Sequence, residues 1–177
     1  MTKITFPSLT AKQIVQKYNN KLGKGMLRCH IDWYENEDFY AKEKCRKGTR
    51  EIITDLTPTL DKTWDECKKI GEMLNLSELL WCVIKIPDFL REYKYSWTCS
   101  RASDGNFVNA GNFDDDGGYV SRDRPGVSYS ALGCAFSAVA LKSSSIEALT
   151  GDEASSLGAR VKALEDDMNK IKKIWDK

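Results

Sequence analysis

From Tyr95 onward the chain is cut into short alternating segments, YSWTCSRA, NFVNAGNF, GYVSRD and YSALGCAFSAVAL, separated by SDG, DDDGG and RPG. Each separator carries the glycine or proline that a tight reversal needs, and alternation gives a strand two unlike faces. The pattern predicts an antiparallel β-meander. Composition agrees: Tyr95–Ser145 holds a single lysine and half of the twelve glycines, and is crowded with Ser, Asn, Asp and aromatic residues suited to turns and displayed loops.

Upstream, the patterning is mixed. Thr10 caps AKQIVQKYNNKL, where Ile14, Val15, Tyr18 and Leu22 share one side before Gly23 stops the helix. MLRCHIDWY and REIITDL read as strands, with an acidic-aromatic turn ENEDFY and a basic run between them. The basic run, Lys42 to Arg50, faces the acids just before it in sequence and is expected to be a solvated, self-compensating loop rather than a phosphate site. Thr63 caps WDECKKIGEML, with Trp64, Cys67, Ile70 and Leu74 on one face. Ser77 opens SELLWCVIK, which ends before Pro87, so two helices follow each other almost without a loop. The order predicts an α+β domain over residues 1–145. In residues 146–177, Leu157, Val161, Leu164, Met168, Ile171 and Trp175 recur in alternating steps of four and three, the rhythm of a coiled-coil-type helix. The run is roughly two and a half heptads, too short to stand alone. It either docks on its own domain or joins copies into a homo-oligomer, and its charged flanks favour the oligomer.

Several function classes are disfavoured. A chain of 177 residues suffices for one domain and an appendage, and 27 Lys+Arg against 26 Asp+Glu leave no nucleic-acid footprint. No apolar run reaches the length of a membrane span, and MTKITFPSLTAKQ is not a secretory signal, so the expectation is a soluble protein without membrane insertion, cytoplasmic or virion-associated. The six cysteines, Cys29, Cys45, Cys67, Cys82, Cys99 and Cys134, include no C-x-x-C and read as reduced, buried thiols. His30 is the single histidine, which argues against a His-rich metal site. There is no G-x-S-x-G and no glycine-rich phosphate loop. Neither an enzyme nor a cofactor is expected.

The stretch WTCSRASDGNFVNAGNFDDDGGYVSRDRPGVSYSALGCAFS carries the framework W-T-x-S-R-x-S-D-G-x-F-V-x-x-G-x-F-D-x-D-G-x-x-V, followed by a polar segment and L-G-x-x-F-S. It resembles the C-terminal part of C-type-lectin-fold proteins, and is most similar to the variable proteins of diversity-generating retroelements, whose fold formylglycine-generating enzymes share. WYENEDFY, CRKGTREI and TWDEC also resemble parts of such chains, so the likeness runs from roughly Thr10 to Leu141. It implies a C-type-lectin-like fold with two helices and a β-meander, serving as a non-enzymatic display protein that binds a protein or other macromolecular ligand.

In the bottom-up reading, Trp97, Phe107, Val108, Phe113, Val120, Leu132 and Phe136 supply an apolar scaffold, while Gly105, Gly111, Gly117 and Gly133 serve turns or close approach. Between them lie Ala102, Asn106, Asn109, Ala110, Asn112, Gly118, Tyr119, Ser121, Arg122, Asp123, Arg124, Val127, Tyr129 and Ala131, a mix suited to an adaptable binding face. The resemblance makes these the diversified positions, with Tyr119, Arg122, Arg124 and Tyr129 as anchors.

Three rivals compete. Asn112, Asp114 and Asp116 have the spacing of half an EF-hand loop, but Asp123 stands where the bidentate Glu belongs, and an Asp-rich turn is the simpler reading. The calcium motifs of sugar-binding lectins, Glu-Pro-Asn and Trp-Asn-Asp, do not occur. A structural protein of a virion, acting as adhesin or decoration, is the alternative function. A formylglycine-generating type of oxidase would need a copper-binding cysteine pair; Cys99 and Cys134 are the candidates, at a spacing unlike that family's. The family's variable segment also usually lies at the very C-terminus, whereas here a helical tail follows it.

Overall fold

A computed structural model describes residues 1–18, 33–91, 94–114 and 117–138. The chain divides into the units Met1–Val139 and Ala140–Lys177, and all described residues belong to the first. Most of the strand expected at MLRCHIDWY, the acid at position 116, and the heptad positions from Leu157 to Trp175 lie outside the described residues.

In chain order the elements begin with β1 (Thr2–Phe6), α1 (Ala11–Tyr18), α2 (Asp38–Ala41), β2 (Gly48–Ile53), a 3-10 turn (Thr57–Thr59), α3 (Trp64–Ile70), β3 (Glu72–Met73) and α4 (Leu76–Lys85). The strands β4 (Tyr95–Arg101), β5 (Phe107–Asp114), β6 (Gly117–Asp123), β7 (Leu132–Cys134) and β8 (Phe136–Ala138) follow. Among the described residues this is an α+β fold with two four-stranded sheets, in the orders β1-β2-β8-β3 and β6-β5-β4-β7.

The helix starts follow from reciprocal caps. At α1 the Gln13 N–H donates to Thr10 Oγ1 and the Thr10 N–H to Gln13 Oε1, at 3.2 and 3.0 Å. Thr63 and Glu66 make the same box for α3. Helix α4 starts earlier than Ser77, because Asn75 is its cap: the Glu78 N–H donates to Asn75 Oδ1 and the Asn75 N–H to Glu78 Oε2. The near-continuous pair of helices is also corrected. Gly71 turns the chain into extended backbone, and β3 pairs with β8 before α4 begins. Ile70, expected on the buried face, therefore ends α3 at 52% exposure, while Leu74 is buried beyond the strand.

The meander β4–β5–β6 is antiparallel, as its alternation predicts. YSALGCAFSAVAL does not extend it. The segment breaks at Ala135 into β7, which lies parallel to β4, and β8, which enters the other sheet between β2 and β3. One short run of chain thus ties both sheets together. Every framework apolar residue from Trp97 to Phe136 is buried. Trp97, Phe107, Leu132, Cys134 and Phe136 pack with Trp64, Cys67 and Met73, while Val108, Phe113 and Val120 join the main core around α4. Full burial of each large apolar side chain contributes on the order of 1.5–3 kcal/mol.

The basic run is not a self-compensating loop. Its one pairing with a preceding acid among the described residues is Lys42 with Asp38, at 2.8 Å. Arg46 and Arg50 instead reach inward to Glu78, which is fully buried on α4, each with an Nη2 2.6 Å from a carboxylate oxygen, and Arg46 also pairs with Glu72. Burial alone would raise the pKa of Glu78, but hydrogen bonds from the two guanidinium groups outweigh it and hold the carboxyl below its ordinary value.

Candidate ligand-binding site

Directly opposed residues of paired strands point to the same side of a sheet. The register sets Tyr95, Gly111 and Tyr119 in one row and Trp97, Asn109 and Ser121 in the next; Phe107 lies opposite Asp123. These rows form one face of the β6-β5-β4-β7 sheet. Ala110, Val120, Val108 and Arg122 occupy the opposite face, where the apolar members join the main core.

At the β4–β5–β6 end of the first face lies a cavity of about 490 Å³, lined by Tyr95, Asn109, Tyr119, Val120, Ser121, Asp123, Tyr129, Ala131 and Leu132. Asp123 organises its polar side. The Asn109 side-chain amide donates to one carboxylate oxygen at 3.0 Å and the Tyr129 hydroxyl to the other at 3.3 Å. The phenol of Tyr129 has its pKa raised, by desolvation and by the neighbouring carboxylate. Tyr119 and Tyr129 are 38% and 51% exposed, which is high for rings of their size.

The loop that carries Tyr129 is anchored along its length. The Trp64 N–H donates to the Pro125 carbonyl at 3.0 Å, Val127 N–H to Arg124 O at 3.1 Å, Leu132 N–H to Tyr129 O at 2.9 Å, and Tyr95 N–H to Ala131 O at 2.8 Å. Beneath it the Trp64 and Phe107 rings stack with centroids 3.6 Å apart, and the Trp64 indole donates to the Thr98 carbonyl. The site is therefore built on a sheet and a braced loop, which holds its shape before any ligand arrives.

Of the residues picked from the sequence, Asn109, Tyr119, Ser121, Asp123, Tyr129 and Ala131 come together in this cavity. The others do not. Ala102 and Ala110 are buried in the main core, and Gly118 packs so tightly beneath β5 that a Cβ would run into the Phe113 ring. Asn112 is nearly buried at a bulge between Gly111 and Asp114, with positive φ, a conformation asparagine tolerates better than most residues. Gly111 beside it admits no side chain, because a Cβ would collide with the Lys94 carbonyl. Asn106 and Arg122 gather around Asp104 at the β4–β5 turn. There Arg122 Nε lies 2.8 Å from Asp104, its guanidinium sits over the Trp33 ring, and Asn106 donates to the same carboxylate. Arg124 is exposed and Val127 half-buried in the loop after β6. As anchors, Tyr119 and Tyr129 stand at the cavity while Arg122 and Arg124 do not line it.

Tyr95 and Leu132, together with the scaffold residue Val120, line the cavity without having been singled out as binding residues. For Tyr95 the signal was present in the alternation of β4, which puts it on the same side as Trp97. It took the parallel pairing of Tyr95 with Leu132, invisible in the sequence, to bring the two together.

The remaining candidates are dispersed. No group of three His, Cys, Asp or Glu that could hold a metal ion occurs among the described residues. Cys45, Cys67, Cys82 and Cys134 are buried free thiols and Cys99 is an exposed one. Burial pushes the Cys45 thiol up to about 12, and pushes Cys134 well above its ordinary value. Among the described residues no helix is long and apolar enough to cross a membrane. Compared with known proteins, the chain matches no family model, no curated protein and no solved structure.

Proposed function

We propose that the chain is a non-enzymatic binding protein whose β5–β6 face and Arg124–Ala131 loop recognise another macromolecule, on a scaffold of C-type-lectin type like that of retroelement variable proteins. The observation that carries this reading is the convergence of Asn109, Tyr119, Ser121, Asp123, Tyr129 and Ala131 on one cavity, since those positions were chosen from sequence as a displayed set. Two half-exposed tyrosines, small polar groups and one carboxylate on a braced sheet are the composition of an adaptable protein-binding face. The cavity admits a partner's side chain, and the exposed residues Ser128, Tyr129 and Ser130 of the adjoining loop offer area for the rest of an interface.

Site-specific photo-crosslinking tests the binding face. A benzophenone residue at Ser121 in the full chain is expected to capture a defined partner in the native cells. The same group at Glu51, exposed on the other sheet, is expected to capture none. Equal labelling from both positions removes the proposed face. The retroelement part of the reading is tested separately by the gene's surroundings. It requires a near-identical non-coding repeat, differing mainly at adenines, beside a reverse transcriptase gene, and absence of both removes that part.

A further inference from the structure

The cavity has a chemical polarity that narrows its partner. Among the described residues its lining contains three tyrosines and one ionisable carboxylate, and no lysine or arginine. Asp123 is held by two neutral donors, the Asn109 amide and the Tyr129 hydroxyl, which fix its orientation without cancelling its charge. A carboxylate beside electron-rich ring faces favours a cation, through the opposite charge and the ring quadrupole together.

The chain itself twice shows what such an arrangement accepts. Arg50 lies with its guanidinium carbon 4.3 Å from the centre of the Phe6 ring while an Nη2 meets Glu78 at 2.6 Å. Arg122 lies 4.5 Å from the centre of the Trp33 ring while its Nε meets Asp104 at 2.8 Å. In both, the guanidinium carbon lies over a ring while one of its nitrogens meets a carboxylate. The cavity supplies the carboxylate and the rings, and no described residue that lines it is a lysine or arginine. We propose that it receives the arginine or lysine side chain of a partner protein, with the charged head at Asp123 and the apolar stem between Tyr119 and Tyr129. This rests on the reading of the face as a macromolecular binding surface, and gives that surface an anchor of defined chemistry.

The test is a titration of the full, ¹⁵N-labelled chain with N-acetyl-arginine methylamide, against its neutral counterpart N-acetyl-citrulline methylamide. The arginine probe is expected to shift the amide resonances of Tyr119, Ser121, Asp123 and Tyr129 and to bind about tenfold more tightly than the citrulline probe. Asp123→Asn is expected to remove that preference. Because Asp123 also orients two neighbours, Tyr119→Ala serves as a second variant outside those hydrogen bonds, and is expected to weaken the arginine probe several-fold. Equal binding of the two probes, shifts remote from the cavity, no shifts at all, or indifference to both substitutions overturns the proposal. If the probes fail while the Ser121 crosslink persists, the cation is wrong and the face stands; if the crosslink also fails, the binding face falls with it.

Discussion

Two carboxylates, Glu78 and Asp123, divide the molecule into a part that holds the fold and a part that the fold displays. Glu78 is fully buried and meets two arginines, with a third link from Arg46 to Glu72, so its charge is matched inside the protein. It also caps its own helix through Asn75. Asp123 stands at the rim of a cavity with an amide and a phenol for company. The first joins β2 and the segment before it to α4; removing it leaves the mostly buried Arg50 and the more exposed Arg46 without their shared carboxylate. The second joins side chains that water could serve as well. The difference teaches that a polar cluster's partners, more than its acidity, tell whether it belongs to stability or to recognition.

Glu78→Ala attacks the holding part most directly and is expected to cost about 3–5 kcal/mol, read as a lower denaturant midpoint. A cost below about 1 kcal/mol would remove the distinction. Gly118→Val comes next. Its side chain would enter the space of the Phe113 ring, so a loss of about 1–3 kcal/mol is expected, whereas Tyr119→Val at the adjoining position should stay within about 0.5 kcal/mol. The same midpoint measurement compares them.

The pH dependence sharpens the contrast further. The folded-state pKa of Glu78 is depressed, so its contribution is present above the unfolded value and is lost as pH falls through the folded one. Unfolding free energy should therefore fall on acidification below the ordinary carboxylate range, and Glu78→Gln should flatten that acid limb. Glu43, hydrogen-bonded to Ser100, works in the other direction. Burial raises its pKa, so its contribution is present in acid and lost as pH rises through the raised value. The smallest effect is expected at Asp123→Asn, within about 0.5 kcal/mol of the parent chain in stability while the arginine preference disappears.

The parts of the fold that were legible in the sequence are those set by local physics. Capping residues located α1 and α3, alternation with glycine or proline breaks located β4, β5 and β6, and each apolar scaffold residue proposed for the meander is buried. What was not legible depends on partners distant in sequence. Nothing in YSALGCAFSAVAL states that its two halves serve different sheets, or that β7 runs parallel to β4. Nothing in KEKCRKGTR states that Arg46 and Arg50 turn toward an acid on α4 rather than to the nearer ENED. The candidate site shows the same division. The displayed set was drawn as a continuous stretch of interspersed positions, but a strand has two faces, and the register sends Ala110 and Arg122 away from Asn109, Ser121 and Asp123. Strict period-two counting along β6 would have separated Tyr119, Ser121 and Asp123 from Val120 and Arg122; the loop residues Tyr129 and Ala131 follow no such period.

The central claim is that the cavity positions on β6 and its following loop, Tyr119, Ser121, Asp123 and Tyr129, are free to vary while the residues on the opposite face of the sheet hold the protein together. It is tested most directly by the folded fraction of two libraries in the full chain, one randomised at Tyr119, Ser121, Asp123 and Tyr129, the other at Ser96, Thr98, Val108 and Val120, scored by protease resistance. Most members of the first are expected to remain folded and most of the second to be lost, because the second set is buried and the first is not. Equal survival of the two libraries, or collapse of the first, would contradict the account.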